Sequence, residues 1–357
     1  MKALKSFLVI CFFTCMVCYC PKMAVNVEAE EIVGETVTSA PAENTTSENA
    51  VDGYIVTVEN NTLRCTYLGN AQKNIYLAVI NKKGNYTVVS PKTKGGLIYY
   101  FNANGVGTKY TKTKIISITF QKYSAKYYVK SGKLGTGWYT KKSKKYYYSS
   151  GEMVTGWKKI KGKRYYFSEK KKTKGQLITN TIVQTKKKSY YVDSTGVRVT
   201  SKDVKAAVKY VTAHTKKNWS NSKKLKACYD YLCKHSSYQR FYGIPTASDM
   251  KECGTYMLTK GRGNCYRYAA AFAYIAKVLG YESRVAVGKI TSLNGGMTPH
   301  SWTEVKVDGK WHICDADMQS ESNGVDSYMK TEATYSYRHT CSDRYTIKIK
   351  NGKVTWK

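Results

Sequence analysis

The chain has 357 residues and a formal net charge of +35 at pH 7, from 59 Lys and Arg against 24 Asp and Glu. This length suffices for two or three domains, and such an excess of positive charge predicts attraction to a polyanion. We expect no nucleic-acid partner, because the chain starts like a secreted protein and carries no nucleic-acid-binding motif. The anion we expect instead is a wall polymer or a membrane surface.

Residues 1–29 are predicted to be a signal peptide. Lys2 and Lys5 precede an apolar run from Phe7 to Cys20, and small residues then suit cleavage after Ala29, with Ala24 as the alternative. The run is shorter than the ~20 residues of a spanning helix, and no other stretch is apolar enough to span a bilayer. The mature protein is therefore expected to be secreted and associated with the cell wall or cell surface, without a transmembrane segment.

The cysteine count predicts at least one free thiol. Four of the eleven cysteines leave with the signal peptide. The seven that remain are Cys65, Cys228, Cys233, Cys253, Cys265, Cys314 and Cys341. An odd number outside the cell leaves at least one thiol unpaired, and Cys265 is the candidate. The other six cysteines allow up to three disulfides. Cys228, Cys233 and His235 lack the second close pair of a zinc site, so we expect buried helix residues there.

Two segments precede the repeats. Residues 30–52 are rich in Glu, Thr, Ser, Ala and Asn and are predicted to be a flexible acidic linker. Residues 53–121 form a β-rich region, with predicted strands at 54–58 and 75–80. The stretch IYYFNANGVGTKY, which contains Tyr99, resembles an early, degenerate copy of the repeat that follows.

Residues 122–200 contain an internal repeat. KYYVKSGKLGTGW is followed by KYYYSSGEMVTGW, and two degenerate copies, RYYFSEKKKTKGQ and SYYVDSTGVRVTS, come next. Tyr127, Tyr146 and Tyr165 are 19 residues apart. A fixed period of about 20 residues predicts one β-hairpin per repeat in a solenoid, because a single hairpin cannot bury a face by itself.

These repeats resemble the cell-wall-binding, choline-binding type of secreted Gram-positive proteins, with its Gly-Trp and Tyr-Tyr pattern. In that family two tryptophans and a tyrosine form a cage for a quaternary ammonium ion. The resemblance assigns wall-ligand binding to Trp138, Trp157 and one of Tyr146–Tyr148, of which we choose Tyr147. The alternative is that these rings bind no ligand and only pack the solenoid. If they do bind one, the many lysines favour an anionic ligand over a cation.

Residues 201–357 are predicted to be an α+β domain. Ser201 is a good N-cap for a helix with Val204, Ala207, Val208 and Val211 on one face. A second helix near Asn221 turns Leu225, Cys228, Tyr229 and Leu232 inward, and the residues around Pro245 and Asp249 are assigned to a loop. A third helix follows N-cap Asn264, carries one apolar face and ends at Gly280.

Cys265 opens this third helix, where the backbone N–H groups and the helix dipole favour a thiolate, so we expect its thiol to ionise more easily than a free thiol. Downstream, Asp308-Gly309 predicts a two-residue hairpin turn. With that turn, Asp317 faces His300 and Asp315 lies one diagonal step away. A thiol, an imidazole and a carboxylate are the nucleophile, base and orienting group of an activated-cysteine site.

The Gly-x-Cys motif before an Ala-rich helix, the His-x-Trp-x-Glu-Val strand and the Trp-x-x-x-Asp return strand resemble the transglutaminase-like (papain-related) superfamily. The resemblance places the catalytic residues at Cys265, His300 and Asp315 and covers about 201–357. It selects Asp315 over Asp317, because the family's carboxylate follows the Trp by four residues. This chain departs from the family in having Ala316 and Asp317 next, in place of Pro and a small hydroxyl residue.

The sequence thus predicts a multi-domain protein: a β-hairpin repeat solenoid followed by an α+β transglutaminase-like (papain-like) domain. The expected function is a cell-wall-associated cysteine enzyme that acts on amide bonds of a protein or peptide through a thioester acyl-enzyme. Whether water or an amine accepts the acyl group stays open, and no cofactor or metal is expected. The alternative is a non-catalytic wall- or polyanion-binding surface protein with an inert papain-like domain.

Overall fold

The computed structural model describes residues 49–51, 54–59, 62–67, 75–82, 85–89, 97–101, 106–120, 123–185, 188–292, 295–321 and 325–357, with side chains from 110–116 and from 126 onward. The predicted signal peptide and nearly all of the predicted linker lie outside these residues. Within the described residues, no helix has both the length and the apolar composition to cross a membrane.

The region before the repeats is one antiparallel sheet. Its strands are β1 (Asn49–Val51), β2 (Tyr54–Glu59), β3 (Thr62–Tyr67), β4 (Ile75–Lys82), β5 (Asn85–Val89), β6 (Leu97–Phe101) and β7 (Val106–Lys109). They pair in the order β1-β2-β3-β7-β6-β4-β5. The predicted β-rich character is confirmed. However, β1 begins inside the segment predicted as linker, because it pairs with β2.

The repeats form short hairpins, as predicted. Their strands are β8 (Lys114–Phe120), β9 (Tyr123–Lys130), β10 (Lys133–Leu134), β11 (Gly137–Lys141), β12 (Lys144–Ser149), β13 (Glu152–Met153), β14 (Gly156–Ile160), β15 (Lys163–Phe167), β16 (Thr181–Gln184) and β17 (Ser189–Val192), with a 3₁₀ turn at Lys171–Thr173. They make sheets of two or three strands. The hairpin β6–β7, which contains Tyr99, instead pairs within the seven-stranded sheet.

Successive hairpins stack ring against ring. Tyr128 lies 5.3 Å from Tyr148, Trp138 lies 5.2 Å from Tyr165, and Trp157 lies 5.5 Å from Tyr190, measured between ring centroids. Backbone hydrogen bonds also join one repeat to the next, such as Leu177 N–H to Lys145 C=O at 2.8 Å. Rings and backbone together therefore join neighbouring hairpins along the solenoid.

The described residues of the C-terminal region form five helices and an antiparallel sheet. The elements are α1 (Lys202–His214), α2 (Asn221–His235), β18 (Ser237–Tyr238), α3 (Met250–Lys260), β19 (Arg262–Gly263), α4 (Cys265–Val278), β20 (Glu282–Thr291), β21 (Met297–Val307), β22 (Lys310–Cys314), α5 (Ala316–Glu321), β23 (His339–Lys350) and β24 (Lys353–Trp356). The sheet order is β22-β21-β20-β23-β24. The predicted inward faces of α1 and α2 are buried as expected.

Helix α3 was not predicted. Its sequence has Gly254 in the middle, and glycine lowers helix propensity. The structure supplies the reason for this glycine. A Cβ at Gly254 would lie 2.6 Å from the Tyr274 ring and 3.1 Å from Ala270 C=O, so the two helices pack too closely for a side chain.

Helix α4 is the centre of the domain. Twelve of its fourteen residues are buried, so the predicted single apolar face is an underestimate. Thr303 on β21 donates a hydrogen bond of 2.8 Å to Ala269 C=O, and Ser283 at the start of β20 donates one of 2.8 Å to Ala273 C=O. These bonds hold the helix at a fixed position on the sheet.

Candidate active site

Cys265 is the first residue of α4, and the loop before it is fixed by its own backbone. Gly261 ends α3 in the left-handed conformation, with φ of 65°. Asn264 caps α4 as predicted, since its side chain accepts a hydrogen bond from Arg267 N–H. The first N–H groups of a helix have no partner within the helix, so those at Cys265 are suited to binding an oxyanion.

His300 comes to this helix start on β21. Its hairpin partner β22 has the predicted register, from Val307 opposite Lys310 to Thr303 opposite Cys314. The turn residues Asp308 and Gly309 both have positive φ, as a type I′ turn requires. β22 ends at Cys314, so both aspartates lie beyond the paired strand.

Asp315 hydrogen-bonds the histidine. Its Oδ2 lies 2.7 Å from His300 Nε2. Its Oδ1 accepts a hydrogen bond of 3.1 Å from Met318 N–H, at the start of α5. Tyr335, 20 residues further along the chain, donates its phenol proton to Oδ2 over 2.5 Å. The carboxylate therefore lies in one fixed orientation against the imidazole.

Asp317 lies on the other side of the ring. Its Oδ2 is 4.0 Å from His300 Nδ1. The Cys265 sulfur, a His300 ring nitrogen and an Asp317 oxygen all lie within 4.8 Å of one another. This is the group of side chains among the described residues that is able to hold a metal ion, through one sulfur, one nitrogen and one oxygen ligand.

Burial decides the ionisation of this cluster. Desolvation raises the pKa of the Cys265 thiol above its usual range, although the His300 hydrogen bond and charge lower it. This direction is opposite to the easily ionised thiol that the sequence predicted, because burial is the largest cause of the shift. Burial also opposes a charged imidazole, yet the Asp315 carboxylate holds the pKa of His300 well above 6.5. Asp315 thus favours the charged form of the imidazole, while burial favours the neutral form of the thiol.

Asp317 is a second titratable group in the cluster. Desolvation raises the pKa of its carboxyl to about 7; the charge of His300 lowers it and that of Asp315 raises it further. Its Oδ1 is buried and has no hydrogen-bond partner among the described residues. Near neutral pH this position therefore changes between a neutral acid and a buried anion.

Trp302 and Glu304 share the strand face of His300, and both are buried. Trp302 lies in a small core with Ala286, Ile290 and Ile313. The Glu304 carboxylate binds the guanidinium groups of Arg284 and Arg344. The two residues thus pack the core and pair with arginines.

Several other cysteines and histidines lie outside this cluster. None of the six cysteines whose side chains are described forms a disulfide, so none of the up to three disulfides that the cysteine count allows is present among them. Cys228 is buried in α2, and His235 stacks on Tyr231 with ring centroids 4.2 Å apart. His339 bonds to Glu332 and packs edge-on against Tyr335, 5.1 Å away.

The three predicted wall-ligand residues fall into two ring clusters. Trp138 lies 5.3 Å from Tyr147, and also contacts Tyr165. Trp157 contacts Tyr166 and Tyr190 in the next cluster along the solenoid, and no described ring contact joins it to Trp138. The structure therefore brings together Trp138 and Tyr147, while Trp157 has different neighbours.

Two tyrosines near the cluster were not predicted as site residues from the sequence. Tyr335 bonds Asp315 from a segment with no recognisable pattern. Tyr238 lies on β18, which pairs in parallel with β19 directly before Cys265. Desolvation raises the pKa of Tyr238, and Cys265 and Asp317 contribute to the increase. No local signal in the sequence identifies either tyrosine, because only the tertiary fold brings them to the site.

Comparison with known proteins agrees with both resemblances. Residues 205–316 match the model of the transglutaminase-like superfamily, and residues 155–170 match the model named "Putative cell wall binding repeat". The chain therefore combines a transglutaminase-like domain with a cell-wall-binding-type repeat region. No curated protein matches the sequence.

Three solved structures are similar to parts of this chain. The choline binding domain of Spr1274 in Streptococcus pneumoniae is 32% identical over 18% of this chain and 84% of its own, with a TM-score of 0.17. A TGase is 18% identical over 37% of this chain and 35% of its own, with a TM-score of 0.27. A "Putative Cysteine Protease from Cytophaga hutchinsonii" is 16% identical over 44% of this chain and 53% of its own, also with a TM-score of 0.27. The chain thus spans about a third of the TGase and about half of the protease.

Proposed function

We propose that the protein is a cysteine enzyme that cleaves or transfers amide-linked acyl groups at the bacterial cell wall. The observation that carries the proposal is the position of His300, which bonds Asp315 at 2.7 Å and has the Cys265 sulfur within 4.8 Å of a ring nitrogen. Nucleophile, base and orienting carboxylate are the parts that a covalent acyl transfer needs.

The chemistry starts with proton transfer from the Cys265 thiol to His300. The Asp315 carboxylate, which holds the pKa of His300 well above 6.5, stabilises the imidazolium that forms. The sulfur then attacks the substrate carbonyl carbon, the C=O bond becomes a C–O⁻ group, and the backbone N–H at the start of α4 stabilises it. Collapse of this intermediate expels the amine, which takes the proton from His300, and leaves a thioester on Cys265. Water or a second amine then releases the acyl group.

The repeats supply attachment to the wall in this proposal. Trp138 is 41% exposed although it is the ring around which Tyr147 and Tyr165 gather. A large exposed aromatic surface with two edge-on neighbours is suited to a wall ligand. We therefore assign wall binding first to Trp138 and Tyr147, and give Trp157 a different role below.

Alkylation tests the cysteine site directly. With iodoacetamide at neutral pH, we expect Cys265 to be labelled faster than the other buried cysteines, because the hydrogen bond and charge of His300 oppose the effect of burial on its thiol, and His300→Ala to abolish that preference. Peptide mapping by mass spectrometry measures each site. Equal labelling of all thiols would contradict a reactive cysteine and favour the binding-only alternative.

A peptide library with a labelled amine then separates the two reactions. Incorporation of the label that Cys265→Ala abolishes indicates acyl transfer, and cleavage without incorporation indicates hydrolysis. The non-catalytic alternative predicts neither product, while the protein still sediments with purified cell walls. Loss of this sedimentation in the Trp138→Ala variant supports the assigned wall contact.

A further inference from the structure

A large cleft separates the last two repeat hairpins from the first two helices of the transglutaminase-like domain. It has a volume of about 1290 Å³ and lies between the hairpins β14–β15 and β16–β17 on one side and α1 and α2 on the other. Clefts between structural units are common ligand sites. This one is not adjacent to Cys265, which does not line it.

The lining of the cleft is strongly basic. Its charged residues are Arg164, Lys170, Lys188, Arg198, Lys217, Lys224 and the single carboxylate Glu169. Glu169 accepts a hydrogen bond of 2.5 Å from the Tyr166 hydroxyl, so part of its charge is already compensated. Six cations against one anion in a concave site concentrate a positive potential there.

An arginine covers the aromatic pair at one wall of the cleft. The Arg198 guanidinium carbon lies 4.8 Å from the Tyr190 ring centroid and 5.9 Å from that of Trp157. The two rings meet edge to face. The backbone holds this arginine in place, because Arg198 N–H donates to Arg164 C=O over 2.8 Å. The ring faces that would attract a quaternary ammonium thus already carry a cation.

The cluster around Trp138 differs in this respect. Its rings are Tyr147, Tyr165 and Phe167, and no described cation lies over the Trp138 ring. Two adjacent aromatic clusters of one solenoid therefore have opposite electrostatic character: the first is open to a cation, and the second presents a guanidinium to the solvent of the cleft.

We propose that this cleft binds an anionic glycopolymer of the wall, a chain that bears repeated phosphate or carboxylate groups. Arg198, whose guanidinium carbon lies 4.8 Å from the Tyr190 centroid and 5.9 Å from that of Trp157, provides the planar fork that binds such groups through two parallel N–H bonds. Lys217 and Lys224 extend the contact onto the enzyme domain, and the uncovered parts of the rings pack against the polymer backbone. The inference rests on the proposed wall association and specifies the class of polymer.

Binding of defined polymers to the full mature chain tests this. The probes are short poly(glycerol phosphate), short polygalacturonate and neutral dextran, measured by calorimetry at 50 and 200 mM NaCl. We expect the phosphate polymer, the carboxylate polymer or both to bind, dextran not to bind, and the affinity to fall at least about tenfold at the higher salt. The two anionic probes distinguish phosphate from carboxylate as the source of charge.

Variants then localise the binding. Arg198→Ala and Lys224→Ala are expected to weaken it about fivefold or more, and Arg198→Lys, which keeps the charge on the rings, to weaken it less. Lys260→Ala is the control, because Lys260 is an exposed lysine at the end of α3 outside the cleft. Equal weakening in Lys260→Ala, or no weakening in Arg198→Ala and Arg198→Lys, would overturn the proposal.

Two further measurements separate this inference from the proposed function. Choline in excess should not displace the bound polymer, and displacement would contradict the covering of the ring pair by Arg198. Alkylation of Cys265 and sedimentation with cell walls are measured on the same variants. If both persist while the purified polymers fail to bind, the cleft is rejected and the proposed function remains.

Discussion

The repeat region and the transglutaminase-like domain achieve stability in different ways. In the repeats, each hairpin is short, and rings from neighbours such as Trp138 and Tyr165 pack at half-exposed positions. In the domain, a single helix, α4, is surrounded by sheet and helices, with twelve of fourteen residues buried. Stability in the first region comes from contacts between sequence neighbours, and in the second from contacts between segments far apart in the chain.

This difference predicts how each region responds to change. We expect the repeats to tolerate the loss of single rings, because the degenerate copy RYYFSEKKKTKGQ already has Gln176 where the earlier copies have a tryptophan. Three separate segments of the domain position Cys265, His300 and Asp315, so a displacement of any one segment changes the geometry of the site. The predictions below test that contrast.

The largest effect is expected at Asp315. Asp315→Asn keeps the shape of a side chain that is 1% exposed but replaces the acceptor at His300 Nε2 with an amide. An amide that donates to Nε2 favours the wrong tautomer, and the turnover number is expected to fall about 10³–10⁴-fold. Asp308→Asn in the exposed hairpin turn should leave the rate unchanged. A loss below about tenfold would show that this carboxylate does not orient the base.

Gly288 provides the next largest effect, on stability. A Cβ there would lie 1.8 Å from Thr340 C=O, where β20 and β23 shift register. Gly288→Ala is expected to reduce the free energy of unfolding of the domain by about 3 kcal/mol or more. Gly162→Ala in the repeats meets nothing within 4 Å, but requires φ of +80°, and should cost only about 1–2 kcal/mol. Hydrogen exchange of β20 and β14 amides measures the two regions separately, and similar losses would refute the contrast.

The same contrast explains what the sequence predicted. Hairpins, their 19-residue period and the hairpin turn at Asp308-Gly309 depend on neighbouring residues, and all are found in the structure. Helix α3 was not predicted. Its Gly254 is required by packing against Ala270 and Tyr274 of α4, which are distant in the sequence. Cys265, His300 and Asp315 were selected as a motif, but the burial that raises the pKa of the thiol depends on the whole fold.

Tyr335→Phe tests whether the support of Asp315 affects catalysis. The substitution removes a phenol that donates to Asp315 Oδ2 over 2.5 Å and leaves the ring packing intact. Because a hydrogen bond to a charged group contributes about 1.5–3 kcal/mol, we expect the turnover number to fall about tenfold with an unchanged KM. Tyr337→Phe is the control, since Tyr337 packs on the Tyr335 ring 5.5 Å away. A matching loss in that control would reduce Tyr335 to a packing role.

The smallest effect is a change in pH dependence at Asp317, the residue by which this site departs from the family pattern. Its carboxyl has a pKa raised to about 7 by burial, and its charge raises the pKa of the Cys265 thiol. Below pH 6 the carboxyl is protonated, so Cys265 in the Asp317→Asn variant should react with iodoacetamide at the same rate as in the native protein. Above pH 7 the native carboxylate is ionised and opposes the thiolate, so the variant should react about threefold faster. Glu282→Gln, at the exposed start of β20, should follow the native profile throughout. If the variant reacts more slowly than the native protein above pH 7, the Asp317 carboxylate stabilises the His300 imidazolium, and with it the thiolate–imidazolium pair, more than it opposes the thiolate.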